Sequence, residues 1–334
     1  MGKTGINGSG LELDDQMVST KGIIPWHNWS IVVPDEYLTA THAMELALPW
    51  TAEFQPIMFN GQEVPATIGK MVVRSDTQRV LGIVKNRYNI IQPQDSFNFL
   101  DGLIESHELR IETAGSLRHG SRIFIVAELP GDLKIAGDEY KQYIFLGNSY
   151  DGSTNLYCMT TAVRVVCANT WAAAIASADS IIKVRHSFNY EEKMKVARKV
   201  LLKSTEYFGA FAKMGEVLAA TPFTSEQFDG LMKHLWPDAD SKRGMTVALN
   251  NRDAFRVVAN ANDLDNLRGT AWGVLQAAID YSDHSRTIKD MSGTMGEDGY
   301  AAQERQLLRS LEDNSLKLAA AAFIQDATGV PILV

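Results

Sequence analysis

The stretch from Tyr143 to His186 constrains the fold more than any other. Two strand-like runs flank Asp151-Gly152, a hairpin signal because that pair tolerates the positive φ of a tight turn. The second run, Leu156 to Cys167, alternates. Tyr157, Met159, Val163, Val165 and Cys167 share one face, and Thr160, Ala162 and Arg164 the other. Asn169 then offers an N-cap oxygen to a small-residue helix through Trp171, Ala174, Ile175 and Ala178. A β-rich run, Ile181 to His186, follows, with Lys183 and Arg185 on one face. These features predict a curled antiparallel sheet with a helix across its apolar side.

Upstream, Arg110–Leu117 and Arg122–Leu129 predict a hairpin around Arg118-His119-Gly120-Ser121. Val72–Ser75 and Arg79–Val84 predict another around Asp76-Thr77-Gln78, and Tyr88–Ile91 reads as a short strand. Thr41 caps a helix to Leu48, and Pro93 opens one carrying Phe97, Phe99, Leu100, Leu103 and Ile104. Downstream, Ala197, Val200, Leu201, Tyr207, Phe208, Phe211, Met214 and Leu218 recur at helical spacing and predict a helix over Tyr190–Ala219. Further helices are expected at Glu226–Leu235, Asn250–Asn262, Thr270–Lys289 and Ala301–Ala327. The expected class is α+β: an antiparallel β-meander with a helix packed across it, then a mostly helical C-terminal half. Residues 1–21 are expected to be a flexible arm, 22–189 the α+β core and 190–334 a helical region packing on it.

Charge is segregated. The chain carries a net −8, which argues against a generally basic coat for nucleic acid. Yet Arg164, Lys183, Arg185, Lys193, Lys195, Arg198 and Lys199 stand against Asp179, Glu191 and Glu192 between Tyr157 and Lys199. A basic middle in an acidic molecule suits a polyanion groove, and equally a solvated helix face. Arg118, His119 and Arg122 crown the adjacent hairpin, with Tyr150 and Trp171 near in sequence. Cations beside aromatic planes are what single strands need: charges follow phosphates and rings stack on any base. The expected nucleic-acid-binding residues are Arg164, Lys183, Arg185, Arg118, Arg122 and Tyr150. For each arginine a structural ion pair is the competing reading.

Enzyme chemistry finds little footing. No Gly-x-Ser-x-Gly elbow, zinc-protease motif, phosphate loop or paired-cysteine motif occurs. Asp280, Asp283 and His284 share a helical face, which suits part of a metal site or a surface pair of His284 with Asp280. Neither catalytic residues, nor cofactor, nor metal are expected. Cys158 and Cys167 fall on opposite faces of one strand, against a mutual disulfide and in keeping with a reducing cytoplasm. No membrane-length apolar run or secretory leader is seen. Trp26, His27 and Trp29 can stack a base, plug a core edge or dock on a neighbouring subunit; a homo-oligomer with this segment at the contact is expected.

The runs NSYDG, RVVCANT, IKVRHS and GTAWGVLQAAIDYSDH, with GIIPWH, RSDTQRVLGIVKNRYNIIQ and ETAGSLRHG, resemble the phage- and plasmid-related family called domain of unknown function 932, from about Gly22 to Leu318. That resemblance implies a mobile-element context and a bacterial cytoplasm, and transfers no catalytic residue. The expected meander, crossing helix and basic groove also resemble, in architecture, the phage single-strand annealing proteins of the lambda Beta and RecT kind. That likeness implies a ring or filament that holds DNA strands for pairing without nucleotide or metal. The competing expectation is a protein-binding factor that blocks or titrates a host defence complex; a host defence or recombination protein is a candidate partner.

Overall fold

The computed structural model describes residues 17–20, 30–33, 38–131, 133–152, 156–164, 170–172, 182–184, 190–285 and 315–333; within 156–204 it describes few side chains. Its content is α+β, with antiparallel sheets and a helical C-terminal half. The chain divides into two compact units: residues 1–130, 143–159 and 181–203, and residues 131–142, 160–180 and 204–334.

The first unit is built on a sheet whose heart is β8 (Arg110–Leu117), β9 (Arg122–Glu128) and the later part of β11 (Asp138–Ser149). Leu117 stands opposite Arg122, and Arg122 opposite Ser149. The hairpin expected around residues 118–121 is therefore present. β1 (Met17–Ser19) adds antiparallel to β8, and β2 (Ser30–Val32) parallel to β1. Met17, Val18 and Ser19 are buried, so the end of the expected flexible arm is a sheet strand. Its backbone pairs with the edge of β8 that would otherwise be exposed.

Alternation assigns Ile111, Ala114, Ser116, Ile123, Ile125, Ala127, Ile144, Leu146 and Asn148 to one sheet face, all buried. Helix α1 (Ala40–Ala47) lies against β8 and β1 through Ala40, Ala43, Met44 and Ala47. Small residues on that stripe let helix and sheet approach closely. Its N-cap is Thr39 rather than Thr41: the Thr39 hydroxyl accepts from His42 N, while Thr41 is one residue inside the helix and donates to Asp101. The Asp101 carboxylate also accepts from Ala40 N at 2.7 Å, a negative group at the positive helix end.

Pro93 opens not one helix but α2 (Pro93–Ser96), a 3-10 turn (Asn98–Leu100) and α3 (Asp101–Glu105); all five expected apolar residues are buried. A smaller sheet joins β3 (Ala52–Gln55), β6 (Lys70–Arg74) and β7 (Val80–Val84), with the hairpin β4 (Met58–Phe59) and β5 (Gln62–Glu63) inserted. The turn over Asp76–Gln78 is as expected, with Gln78 at φ 56°. Residues 88–91 are not a strand. The Tyr88 hydroxyl donates to Ser149 O and Ile91 O accepts from the Tyr150 hydroxyl, so this segment bonds across the fold through tyrosines instead.

In this unit β12 (Leu156–Arg164) pairs its first residues with β14 (Ile182–Val184), Lys183 opposite Tyr157. In the second unit Thr161–Val163 of β12 pair with β13 (Thr170–Ala172), and β10 (Leu133–Ile135) with the start of β11. The crossing helix expected after Asn169 is thus corrected at its beginning: Thr170 and Trp171, β-branched and aromatic, extend the sheet. The rest of that expected helix lies outside the described residues.

The second unit is otherwise helical: the later part of α4 (Tyr190–Ala219), α5 (Ser225–Leu235), α6 (Lys242–Ala259), α7 (Ala271–Asp280) and α8 (Ser315–Thr328). α6 starts eight residues before the expected Asn250, because the Ser241 hydroxyl caps it by accepting from Gly244 N. Trp272 is fully buried, its ring 5.6 Å from Phe211, and its indole N–H donates to the Tyr140 hydroxyl at 3.1 Å. Phe208, Phe211 and Phe255 are buried too, each contributing about 2–3 kcal/mol of apolar burial.

Candidate nucleic-acid interface

The β8–β9 connection is an unusual turn. Leu117 O accepts from Gly120 N at 3.2 Å, and Arg118, His119 and Gly120 all have positive φ (54°, 59° and 93°). Left-handed backbone costs a non-glycine residue about 1–2 kcal/mol. Contacts beneath the turn hold it there. Arg74, 4% exposed, donates from Nη1 to His119 O at 3.2 Å. Its Nε and Nη2 grip the Asp76 carboxylate at 2.9 and 2.8 Å, and its guanidinium stacks over Trp50 at 4.6 Å. Gly120 admits this packing: a Cβ there would sit 3.0 Å from both Arg74 Cδ and Trp50 Cζ2. On the far side Ser121 O accepts from Tyr150 N at 2.8 Å. Burial raises the Asp76 carboxyl, but the hydrogen bonds and charge of Arg74 and the Thr77 N–H outweigh it, and the group stays below its ordinary value.

Arg118 is exposed on this braced turn, and Arg122 is half-buried at its foot. Tyr150 corrects the sequence expectation. It is fully buried, edge-on to Trp50 at 5.8 Å, and its hydroxyl donates to Ile91 O at 2.8 Å. Burial, then the neighbouring Tyr88, push that hydroxyl well above its ordinary pKa. The ring braces the turn and offers no face to a base. Arg164 ends β12 in the second unit, and Lys183 lies in β14 in the first. Their side chains, Arg185, and the segment of Trp26, His27 and Trp29 lie outside the described residues. The structure thus brings Arg118, Arg122 and Tyr150 together at one end of the sheet.

Sequence reasoning passed over other surface residues. Phe59 is 70% exposed, Ile68 69% and Ile83 61%, with Phe54 and Met58 exposed nearby in sequence. The Asn60-Gly61 pair, with φ of 50° and 78°, was the available hairpin signal. Lys85 and Arg87 are exposed beyond β7, and Lys195 and Lys199, one turn apart, are exposed on α4.

Two buried polar clusters among the described residues serve the fold. Glu112 sits at a register shift in β8, 3% exposed, where the Tyr143 hydroxyl donates to it. Burial, then the Glu112 charge, raise that hydroxyl's pKa. Of the face suggested for Asp280, Asp283 and His284, the structure corrects Asp283, while the His284 side chain lies outside the described residues. A π-helical turn over Tyr281–Ser285 alters the spacing, and Asp283 is buried against Lys317 at 2.6 Å. Among the described residues no group of three His, Cys, Asp or Glu is arranged to hold a metal, and no helix is long and apolar enough to cross a membrane. A cavity of about 250 Å³ in the second unit is lined by Phe223, Phe228, Leu264 and Leu267, with Asp229 and Arg268.

Compared with known proteins, the chain matches one family model, described as Domain of unknown function (DUF932), over residues 80–322. No curated protein and no solved structure matches it.

Proposed function

The chain belongs to the DUF932 family, and we propose that it is a phage or mobile-element protein of the bacterial cytoplasm that binds single-stranded DNA and promotes annealing as a homo-oligomer. The observation that carries this reading is the braced β8–β9 turn. Arg118 stands exposed on a backbone held by Arg74, Trp50 and Tyr150, so less conformational freedom is lost when it meets a phosphate. Arg122 at the same turn and the exposed lysines of α4 add positive charge to a chain that is acidic on average. Lys183 and Arg185 are proposed as further phosphate contacts, and Arg164 of the second unit as a phosphate contact in its own right. Annealing then needs no covalent step: the protein holds phosphates while bases pair.

The test is fluorescence anisotropy with a labelled oligonucleotide across salt, with strand-annealing and light-scattering measurements on the same protein. Arg118→Ala should weaken binding to every sequence alike and lower the salt slope by about 0.7 unit, with an unchanged melting temperature. Absence of wild-type binding even at low salt would remove this reading in favour of a protein-binding factor aimed at a host complex.

A further inference from the structure

We propose that the small sheet of β3, β6 and β7, with its β4–β5 hairpin, is a second contact surface for the same ligand, stacking bases of single-stranded DNA on Phe59 beside a cationic rim. This rests on the DNA-binding reading above but on different residues. Most of the surface precedes residue 80, outside the span matched by the family model.

The hairpin presents the ring. Met58 stands opposite Glu63 and Phe59 opposite Gln62, and the left-handed Asn60-Gly61 turn closes the pair. Both apolar side chains are largely exposed, Phe59 at 70% and Met58 at 56%. Gly69 connects this hairpin to β6 and lies against Ile57 and Ile83: a Cβ there would be 3.4 Å from Ile57 Cδ1 and 3.2 Å from Ile83 Cγ2. The exposed side chain of Ile83 therefore adjoins the base of the hairpin.

Cations rim the same end of the sheet. Lys70 pairs with Val84, so Lys85 is the next residue outward. The Lys70 ammonium lies 3.3 Å over the Phe54 ring. Lys85 O accepts from Tyr88 N, a turn that contains the exposed Arg87.

Two observations favour DNA over a second copy of the chain. First, the rim of Lys70, Lys85 and Arg87 suits a polyanion, whereas the cores of protein interfaces are depleted in lysine. Second, the outer edge of β3 is closed at Ala52 by the Gln92 side chain, which donates to Ala52 O at 3.0 Å and accepts from Ala52 N at 2.9 Å. That amide occupies the place where an added strand would bond.

The experiment compares the full-length wild type with Phe59→Ala, Phe59→Leu and Lys85→Ala/Arg87→Ala, using a fluorescein-labelled oligothymidine across salt, with light scattering of each protein. Both Phe59 variants should lose about tenfold in affinity with an unchanged salt slope, because stacking is uncharged. The double variant should lower the slope by about 1.4 units, at about 0.7 per phosphate contact on a single strand. Wild-type binding with undiminished affinity in every variant overturns this surface and leaves the DNA-binding reading standing. Full affinity in Phe59→Leu overturns ring stacking. Dissociation of the oligomer by Phe59→Ala at full DNA affinity assigns the surface to contacts between copies and overturns the proposal. Wild type that fails to bind at low salt overturns both readings.

Discussion

Lys317→Met should cost the second unit about 4 kcal/mol. Lys317 Nζ lies 2.6 Å from Asp283 Oδ1, and each side chain is 2% exposed. At an effective dielectric of about 20, unit charges at that separation attract by about 6 kcal/mol. Removing both from water costs several kcal/mol per ion, so the pair itself contributes little net stability. Deleting one partner is a different matter. Methionine fills much of the lysine volume, yet Asp283 then remains buried without its counter-charge. The double variant Lys317→Met/Asp283→Leu removes both charges and should recover most of the loss. Urea unfolding followed by far-UV circular dichroism measures both. A single variant that loses less than about 1 kcal/mol would behave as an exposed pair does and refute the reasoning. So would a double variant no more stable than the single one.

The other predictions concern packing, acid and capping. Gly82→Ala should lower stability by about 3 kcal/mol, because a Cβ there would fall 2.3 Å from Asp151 Cα and 2.9 Å from Tyr150 O, both backbone atoms. Gly209→Ala, in α4 with nothing within 4 Å of the added carbon, should instead raise it by about 0.5–1 kcal/mol; thermal melts of the two variants check the contrast. Asp76, held below its ordinary 3.8, contributes stability that is complete above that value and lost as pH falls through its lower folded-state value. Asp76→Asn should therefore be less stable than wild type at neutral pH and converge with it in acid, read from urea midpoints across pH. Thr224→Ala should cost about 1 kcal/mol in the same assay, since the Thr224 hydroxyl accepts from Gln227 N and Gln227 Oε1 accepts from Thr224 N.

The parts of the fold legible in the sequence are those where one local pattern decides. Apolar residues every three to four positions gave α4 its observed bounds, Tyr190–Ala219. Turn residues between alternating runs gave β8 with β9 and β6 with β7. The misreadings have two causes, a local cap that outweighs poor helix residues and a strand partner that outweighs helix propensity. Residues 242–249 look poor for a helix, with Gly244 and two β-branched residues among them. Ser241 supplies the cap, and Gly244 lets it close, since a Cβ there would be 2.8 Å from Ala239 Cβ and 2.9 Å from Ser241 Oγ. Thr170–Ala172 sit in a run of small residues that resembles a helix, and pairing with Thr161–Val163 overrides it.

The candidate interface was half legible for a related reason. Sequence places Arg74, Arg118 and Tyr150 alike beside turns, but says nothing of which lies beneath another. Gly82 lets β7 approach the backbone at Tyr150 and Asp151, and Gly120 lets the β8–β9 turn settle on Arg74 and Trp50. Those two approaches are long-range and need the register of three strands at once. They bury Tyr150 and Arg74 and leave Arg118 exposed. A count of cations treats the two arginines as equal. The fold makes Arg74 the support, neutralised by Asp76 and bonded to His119 O, and Arg118 the group that meets solvent. On the proposed DNA-binding reading, replacing Arg74 would change affinity only by loosening the turn, with a fall in melting temperature. Replacing Arg118 would change affinity without one, and that difference separates a positioning residue from a contact.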